Sequence, residues 1–135
     1  MNAHPYLFFS GTCTKAVEFY RDKLGAEVRA LVRFRDLPGA GPDAGDKVMH
    51  AELGFGGSTI FASDGRRDDG SKGTGYAISL QAADDLDAER LFAALADDGT
   101  IEIPLMTTPF ASRFGKAIDR FGTPWMVTTP QPAMA

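Results

Sequence analysis

The chain carries an approximate internal repeat, which limits its possible folds more than any other feature of the sequence. Each half opens with a short apolar run of the kind that forms a strand, Tyr6–Phe9 in one and Tyr76–Leu80 in the other. Helical spacing follows each run, and three further stretches of strand composition follow the helix. The order strand, helix, strand, strand, strand therefore occurs twice. It predicts an α+β fold of two βαβββ modules, over about residues 1–64 and 75–129, joined within one domain by a loop at 65–74.

Both predicted helices show the i, i+3, i+4 spacing of apolar residues that packs a helix against a sheet. The start signals are Ser10 or Thr12 and Asp84 or Asp85, and the stop signals are Gly25 and Gly99. The predicted buried faces are Cys13, Ala16, Val17, Tyr20 and Leu24 in the first helix, and Ala88, Leu91, Phe92 and Leu95 in the second.

The first predicted hairpin, Val48–Leu53 and Thr59–Ser63, carries the clearest candidate site. A tight turn at Gly56-Gly57 pairs Leu53 with Ile60, and alternation then separates two faces. The apolar face, which should meet the helix, holds Ala51, Leu53, Ile60 and Ala62. The mixed face, which should line a cleft, holds His50, Glu52, Thr59, Phe61 and Ser63. We interpret His50 and Glu52 as candidate acid–base groups and His50, Phe61 and Ser63 as candidate ligand contacts. A His50–Ser63 hydrogen bond that only satisfies two half-buried groups is the alternative.

The segment Asp119-Arg120-Phe121-Gly122-Thr123-Pro124-Trp125 closes the second hairpin. Alternation along the following strand places Trp125 and Val127 towards the helix and Met126 towards the cleft. Phe9 is a further candidate wall of that cleft, and a position in the core is the alternative. Arg113 lies in a segment, 110–115, that we expect to form a loop over the pocket. Its guanidinium is a candidate anion contact there, and an ordinary surface arginine is the alternative.

Several segments together resemble a known group of proteins. Gly11–Gly25 resembles the first helix of the vicinal-oxygen-chelate superfamily, which includes glyoxalases, bleomycin-resistance proteins and dioxygenases. More narrowly, His50–Leu53, Ser63-Asp64, Phe114–Lys116 and Asp119–Trp125 resemble the PhnB-like branch, whose members are labelled 3-demethylubiquinone-9 3-methyltransferase-like. The resemblance implies two βαβββ modules that form a concave mixed sheet with the helices on its outer face. It also implies a pocket on the concave side and a homodimer.

The resemblance also indicates where metal-dependent enzymes of the superfamily hold a divalent ion with His, Glu or Gln side chains. The glutamate of the last strand corresponds here to Met126, and a thioether is a poor ligand for oxygen-preferring ions. The other matching positions hold Pro5 or Tyr6, Phe61, and Gly75 or Tyr76. We therefore expect no metal ion or other cofactor at the usual site. A displaced metal site around His50 and Glu52 is the alternative.

Composition and local motifs argue against several classes of partner and function. The net charge of -4 and scattered basic residues argue against a nucleic-acid partner. No apolar run approaches the roughly 20 residues that span a bilayer, and the first residues lack the pattern of a signal peptide, so we expect a cytoplasmic protein without a membrane partner. The single cysteine, Cys13, favours core packing over a disulfide. Gly54–Gly57 opens no helix, so neither a nucleotide loop nor a methyltransferase fold is supported.

Two functional classes remain. The first is a metal-free protein that binds a small molecule, with ligand contacts from His50, Phe61, Ser63, Phe9, Met126 and Arg113. The second is a metal-dependent lyase, isomerase or dioxygenase-like enzyme with a non-standard site around His50 and Glu52.

Overall fold

The computed structural model describes residues 1–41, 45–65 and 74–130. The chain divides into two compact units, Met1–Asp69 and Gly70–Ala135, and each contains one four-stranded sheet and one α-helix. No helix in the described ranges has the length and apolar character needed to cross a bilayer.

The first unit comprises β1 (Tyr6–Phe8), α1 (Cys13–Leu24), β2 (Glu27–Arg33), β3 (Val48–Phe55) and β4 (Ser58–Ser63), with a short 3-10 turn at Phe34–Asp36. Its strand order is β1-β4-β3-β2, in which β1 runs parallel to β4 and the other pairs are antiparallel.

The second unit repeats this arrangement with β5 (Ile78–Gln81), α2 (Asp85–Ala96), β6 (Thr100–Thr108), β7 (Ala111–Ile118) and β8 (Pro124–Pro130). Its strand order is β5-β8-β7-β6. The predicted α+β class and the two βαβββ modules are confirmed. The joining of the modules into one concave sheet stays a prediction, and most of the predicted linker, 65–74, lies outside the described residues.

Helix α1 buries the face that its sequence predicts, since Cys13, Ala16, Val17, Tyr20 and Leu24 are all buried. It ends at Gly25, which adopts the left-handed conformation (φ 77) that a residue without Cβ tolerates. Its start differs from the expectation, because the Thr12 side chain makes no capping hydrogen bond. The Asp64 carboxylate at the end of β4 instead accepts hydrogen bonds from the N–H groups of Gly11 and Cys13.

Helix α2 begins after Asp84, whose carboxylate accepts a hydrogen bond from the N–H of Asp87, as the start signal predicts. Its predicted apolar face, Ala88, Leu91, Phe92 and Leu95, is buried. The predicted end at Gly99 is wrong, because the helix ends at Ala96 and Asp98 turns the chain with φ 60. Gly99 is needed for packing instead, because a Cβ there would lie 2.3 Å from the Ile118 carbonyl oxygen.

The first hairpin has the predicted register, with Leu53 opposite Ile60 and Glu52 opposite Phe61. The side chains predicted to face the helix, Ala51, Leu53, Ile60 and Ala62, are no more than 4% exposed. The sequence pattern therefore identified both the pairing and the buried face of this hairpin.

The second hairpin begins earlier than expected. The predicted loop over 110–115 is wrong, because Ala111–Ile118 forms β7 and pairs with both β6 and β8. Pairing on both sides satisfies the backbone groups that a surface loop would leave to water. The predicted alternation of β8 is confirmed, since Trp125 and Val127 are fully buried and Met126 is half-buried.

Candidate functional site

The face of the first sheet that points away from α1, which we call the distal face, carries a cluster of aromatic rings. We define this aromatic cluster as His4, Tyr6, Phe8, His50 and Phe61. Tyr6 and Phe8 stack in parallel, with ring centroids 4.6 Å apart and planes at 4°. The Phe61 ring lies 5.6 Å from Tyr6, 5.1 Å from His50 and 5.2 Å from His4.

Strand pairing explains how these rings meet. Phe61 of β4 is opposite Tyr6 of β1 on one side and opposite Glu52 of β3 on the other. Ala30 of β2 is opposite Glu52 and completes the row. Side chains directly opposite each other on neighbouring strands have Cβ atoms about 4.5–5.5 Å apart. The row therefore places the Glu52 carboxylate beside the aromatic rings.

One hydrogen bond lies within the cluster. The Tyr6 hydroxyl and His50 Nδ1 are 2.8 Å apart, on a part of the surface that water reaches. Partial burial, with a smaller effect of the Cys13 thiol, raises the pKa of the Tyr6 phenol above its ordinary value. The phenol therefore stays protonated at neutral pH. It fixes the plane of the imidazole and leaves His50 Nε2 as the ring nitrogen available to a ligand.

Glu52 differs from the other groups of the site in having no partner among the described residues. Its side chain is half-buried, and within the described ranges its carboxylate forms neither a hydrogen bond nor an ion pair. The sequence placed Glu52 and His50 on one face, and the structure brings both next to Phe61. The functions expected of these two residues stay predictions.

Ser63 lies at the edge of this face and is 4% exposed. Its hydroxyl donates to the Val48 carbonyl oxygen at 3.3 Å and accepts from the Gly65 N–H at 3.2 Å. The alternative His50–Ser63 hydrogen bond is therefore wrong, because His50 is bonded to Tyr6 and Ser63 to the backbone. Ser63 closes the end of the hairpin.

The sequence expectation placed Phe9 on the cleft wall, but the structure places Phe8 on the distal face. Phe9 is 3% exposed, whereas Phe8 is 50% exposed and Tyr6 39% exposed. Successive side chains of a strand point to opposite faces, so the two neighbours cannot share one. Phe8 was not predicted, and Tyr6 was considered only as a metal position. Alternation along a strand indicates that Tyr6 and Phe8 share a face, and the burial of Leu7 in the structure shows that this face is the distal one.

The other two predicted ligand contacts lie in the second unit. Met126 is half-buried on β8 opposite Lys116, whose ammonium lies 3.6 Å from the Glu102 carboxylate. Arg113 projects towards α2, where its guanidinium forms ion pairs with Asp85 and Glu89, each at 3.4 Å. The expected loop position of Arg113 is corrected: it lies in β7, and two carboxylates already balance its charge.

Cys13 has the core position that its helical face predicts. The side chain is fully buried, and this burial together with the negative charge of Asp64 raises the pKa of the thiol to about 12. A neutral, inaccessible thiol is a poor nucleophile. Cys13 therefore contributes packing to the first unit.

The family follows from comparison with known proteins. The family model described as "Glyoxalase/Bleomycin resistance protein/Dioxygenase superfamily" matches residues 3–127. The chain belongs to this superfamily. Protein YjdN of Escherichia coli (strain K12) is 31% identical over 138 residues, which cover 94% of each chain.

Two solved structures have the same fold. Protein PA1353 from Pseudomonas aeruginosa superposes with a TM-score of 0.87 at 39% identity, covering 97% of this chain and 98% of that chain. A Bacillus cereus protein described as a putative 3-demethylubiquinone-9 3-methyltransferase, PhnB protein, superposes with a TM-score of 0.80 at 24% identity, covering 96% and 99%. The resemblance to the superfamily is confirmed by the family model, and the structural neighbours include a protein described as PhnB.

Enzymes of the superfamily that depend on a metal need several donor side chains around one ion. Within the part of the chain that the structure describes, no three His, Cys, Asp or Glu side chains are grouped to hold one. His50 Nδ1 is engaged by the Tyr6 hydroxyl. Glu52 is the only carboxylate in the row of paired residues Tyr6, Phe61, Glu52 and Ala30. The donor set around His50 and Glu52 therefore does not fit a three-ligand ion.

Proposed function

We propose that this glyoxalase-superfamily protein binds a small aromatic molecule without a metal ion, on the distal face of the first sheet. The observation that supports the proposal best is the aromatic cluster. Its rings lie on the face that does not pack against α1, although the helix side of the same sheet has a complete core.

The energetics of exposed rings favour a ligand at this position. Fully burying a phenylalanine side chain is worth about 1.5–3 kcal/mol, and a well-placed aromatic pair adds about 0.5–1.5 kcal/mol. Phe8 is 50% exposed and Tyr6 39% exposed, so part of that free energy is still available to a molecule that covers them. The Tyr6–His50 pair would supply a polar contact that fixes the orientation of the ligand.

The test uses acridine, a neutral planar heterocycle, with binding followed by its fluorescence and by NMR shifts of the first unit. Phe8→Ala is expected to weaken acridine binding by about tenfold, which is 1.4 kcal/mol. Phe110→Ala is the matched control, because Phe110 is 49% exposed but belongs to β7's flanking turn in the second unit. Absence of acridine binding, or equal loss in both variants, would contradict the proposal.

A second copy of the chain is the competing occupant of this face, because the superfamily resemblance implies a homodimer. Sedimentation of the wild type and of Phe8→Ala separates the two occupants. An unchanged association state, together with weaker acridine binding, supports the ligand. Loss of a dimer in Phe8→Ala assigns the face to subunit contact.

Elemental analysis of the purified protein tests the metal-free part of the proposal. Stoichiometric zinc, nickel, manganese or iron that is lost in His50→Ala would contradict it and would favour the enzyme alternative.

A further inference from the structure

We infer that the ligand of the distal face is an organic cation, with its ring on the aromatic cluster and its positive charge against the Glu52 carboxylate. The inference rests on the proposed binding function and adds the charge of the ligand and the residue that recognises it.

The isolation of Glu52 favours a positively charged ligand. A half-buried carboxylate has lost part of its hydration, and a charge without a partner there is unfavourable. The Glu52 carboxylate has no hydrogen bond or ion pair among the residues that the structure describes. A cationic group on the ligand would supply the missing partner.

Two other carboxylates of the first unit, those of Asp64 and Glu27, have their partners within the protein. The Asp64 carboxylate accepts from three backbone N–H groups, those of Gly11, Cys13 and Val48, at 2.8–3.0 Å. Glu27 lies 3.9 Å from the Arg29 guanidinium. Glu52 therefore stands apart from acidic groups that serve the fold.

Arg29, a cation of the neighbouring strand β2, is engaged by groups other than Glu52. The Arg29 guanidinium lies over Gly54 and donates to Thr59 Oγ1 at 3.1 Å and to the Gly56 carbonyl oxygen at 3.3 Å. Its charge therefore faces the β3–β4 turn and Glu27, and it makes no ion pair with Glu52 in the described structure.

The neighbours of Glu52 also favour a cation. The Phe61 ring is its direct strand partner, and the Tyr6 ring follows in the same row. The face of an aromatic ring attracts a cation within about 6 Å of its centroid. On the other side of Glu52 the strand partner is Ala30, whose small side chain leaves space beside the carboxylate. The net charge of -4 adds a long-range attraction for cations.

The experiment compares three probes of one size: acridine, the permanently charged N-methylacridinium ion, and anthracene-9-carboxylate. We expect the wild type to bind N-methylacridinium at least about tenfold more tightly than acridine, and the anion most weakly. Glu52→Gln, which keeps the shape, should abolish the preference for the cation over acridine. Glu27→Gln, which removes an exposed carboxylate of β2, should keep the preference.

The outcomes test separately whether the distal face binds a ligand and whether that ligand is a cation. Equal affinity for acridine and N-methylacridinium, or a preference that survives in Glu52→Gln, overturns the inference and leaves the binding function intact. If anthracene-9-carboxylate binds most tightly, the inference is wrong and Arg29 is the residue that recognises the charge of the ligand. Failure of all three probes to bind overturns the binding function itself. Circular dichroism and thermal unfolding confirm that both variants are folded.

Discussion

The indole Nε1 of Trp125 donates a hydrogen bond of 2.8 Å to the Asp119 carboxylate, and both residues are buried. The other oxygen of that carboxylate accepts from the backbone N–H groups of Phe121 and Thr123, at 2.8 Å and 3.0 Å. One side chain thus closes the β7–β8 turn and positions the only tryptophan of the chain in the core. The segment 119–125, which carries much of the family resemblance, has a structural role.

Removal of this carboxylate should destabilise the second unit strongly. Asp119→Ala removes the acceptor of three hydrogen bonds, and loss of a buried partner costs about 1–3 kcal/mol. We expect a loss of roughly 3 kcal/mol or more in the free energy of unfolding, measured by urea denaturation followed by circular dichroism. Asp97→Ala is the control, because it removes an ion pair with Arg120 in which the Asp97 side chain is 77% exposed. Such surface pairs contribute at most about 1 kcal/mol. Similar losses in both variants would contradict the assignment.

The Cys13 thiol should be unreactive in the native protein. Burial and, secondly, the charge of Asp64 raise its pKa to about 12. A thiol reagent should therefore modify the folded chain far more slowly than the urea-unfolded chain at mildly alkaline pH. Asp64→Asn should accelerate the reaction, because an amide cannot accept all three backbone hydrogen bonds that hold the start of α1. Rapid modification of the native wild type would show that the site is open.

The raised pKa of Cys13 also makes the free energy of unfolding depend on pH. A folded-state pKa above the unfolded one stabilises the protein fully below the ordinary thiol pKa of about 8.5. That contribution is lost as the pH rises towards the folded value of about 12. Cys13→Ala should therefore lose less stability than the wild type when the pH is raised over this range.

These cases show which parts of the structure the sequence determines locally. The buried face of α1 follows from spacing within a single helix, and the pairing of Glu52 with Phe61 follows from a tight turn. The capping of α1 by Asp64 was not predicted, because the carboxylate and the Cys13 N–H are 51 residues apart. No local pattern reports such a contact.

The candidate site was predicted in part for the same reason. Its β3–β4 half, with His50 and Phe61, depends on one hairpin and was placed correctly on one face. Its β1 half depends on a parallel pairing across the whole first unit, in which Tyr6 is opposite Phe61 and Phe8 opposite Ser63. Without that register, Phe9 could not be distinguished from Phe8.

Helix α2 should become less stable in acid through Asp87. The N–H of Ala83 and, secondly, Arg90 donate hydrogen bonds to this carboxylate and lower its pKa. A lowered folded-state pKa stabilises the protein above the ordinary value of about 3.9, and this contribution is lost as the pH falls through the folded value.

Asp87→Asn tests this effect. We expect it to lower the unfolding free energy by about 0.5–2 kcal/mol at neutral pH, as for other helix-start contacts, and by progressively less in acid. Asp98→Asn is the control, because Asp98 is exposed and its carboxylate has no partner among the described residues. A difference between the two variants that does not change with pH would contradict the role of charge.

The close packing of α2 on the second sheet depends on Gly115. A Cβ at this position would lie 2.7 Å from the Phe92 ring, 3.1 Å from Leu105 Cα and 3.2 Å from the Ile103 carbonyl oxygen. Two of these neighbours are backbone atoms, and Phe92 is itself buried, so none can move without disturbing the core. Gly115→Ala should therefore cost about 1–3 kcal/mol, the usual effect of overpacking.

Gly57→Ala is the matched control for this variant. A Cβ at Gly57 meets nothing within 4 Å. The control should therefore change stability by no more than about 0.5 kcal/mol, as most surface substitutions do. Urea denaturation of both variants measures the difference directly. Because the two substitutions add the same methyl group, a loss confined to Gly115→Ala reports contact with α2 and β6 and not the lower backbone entropy of alanine. Equal stability of the two variants would mean that the helix and sheet are packed less closely than these distances require.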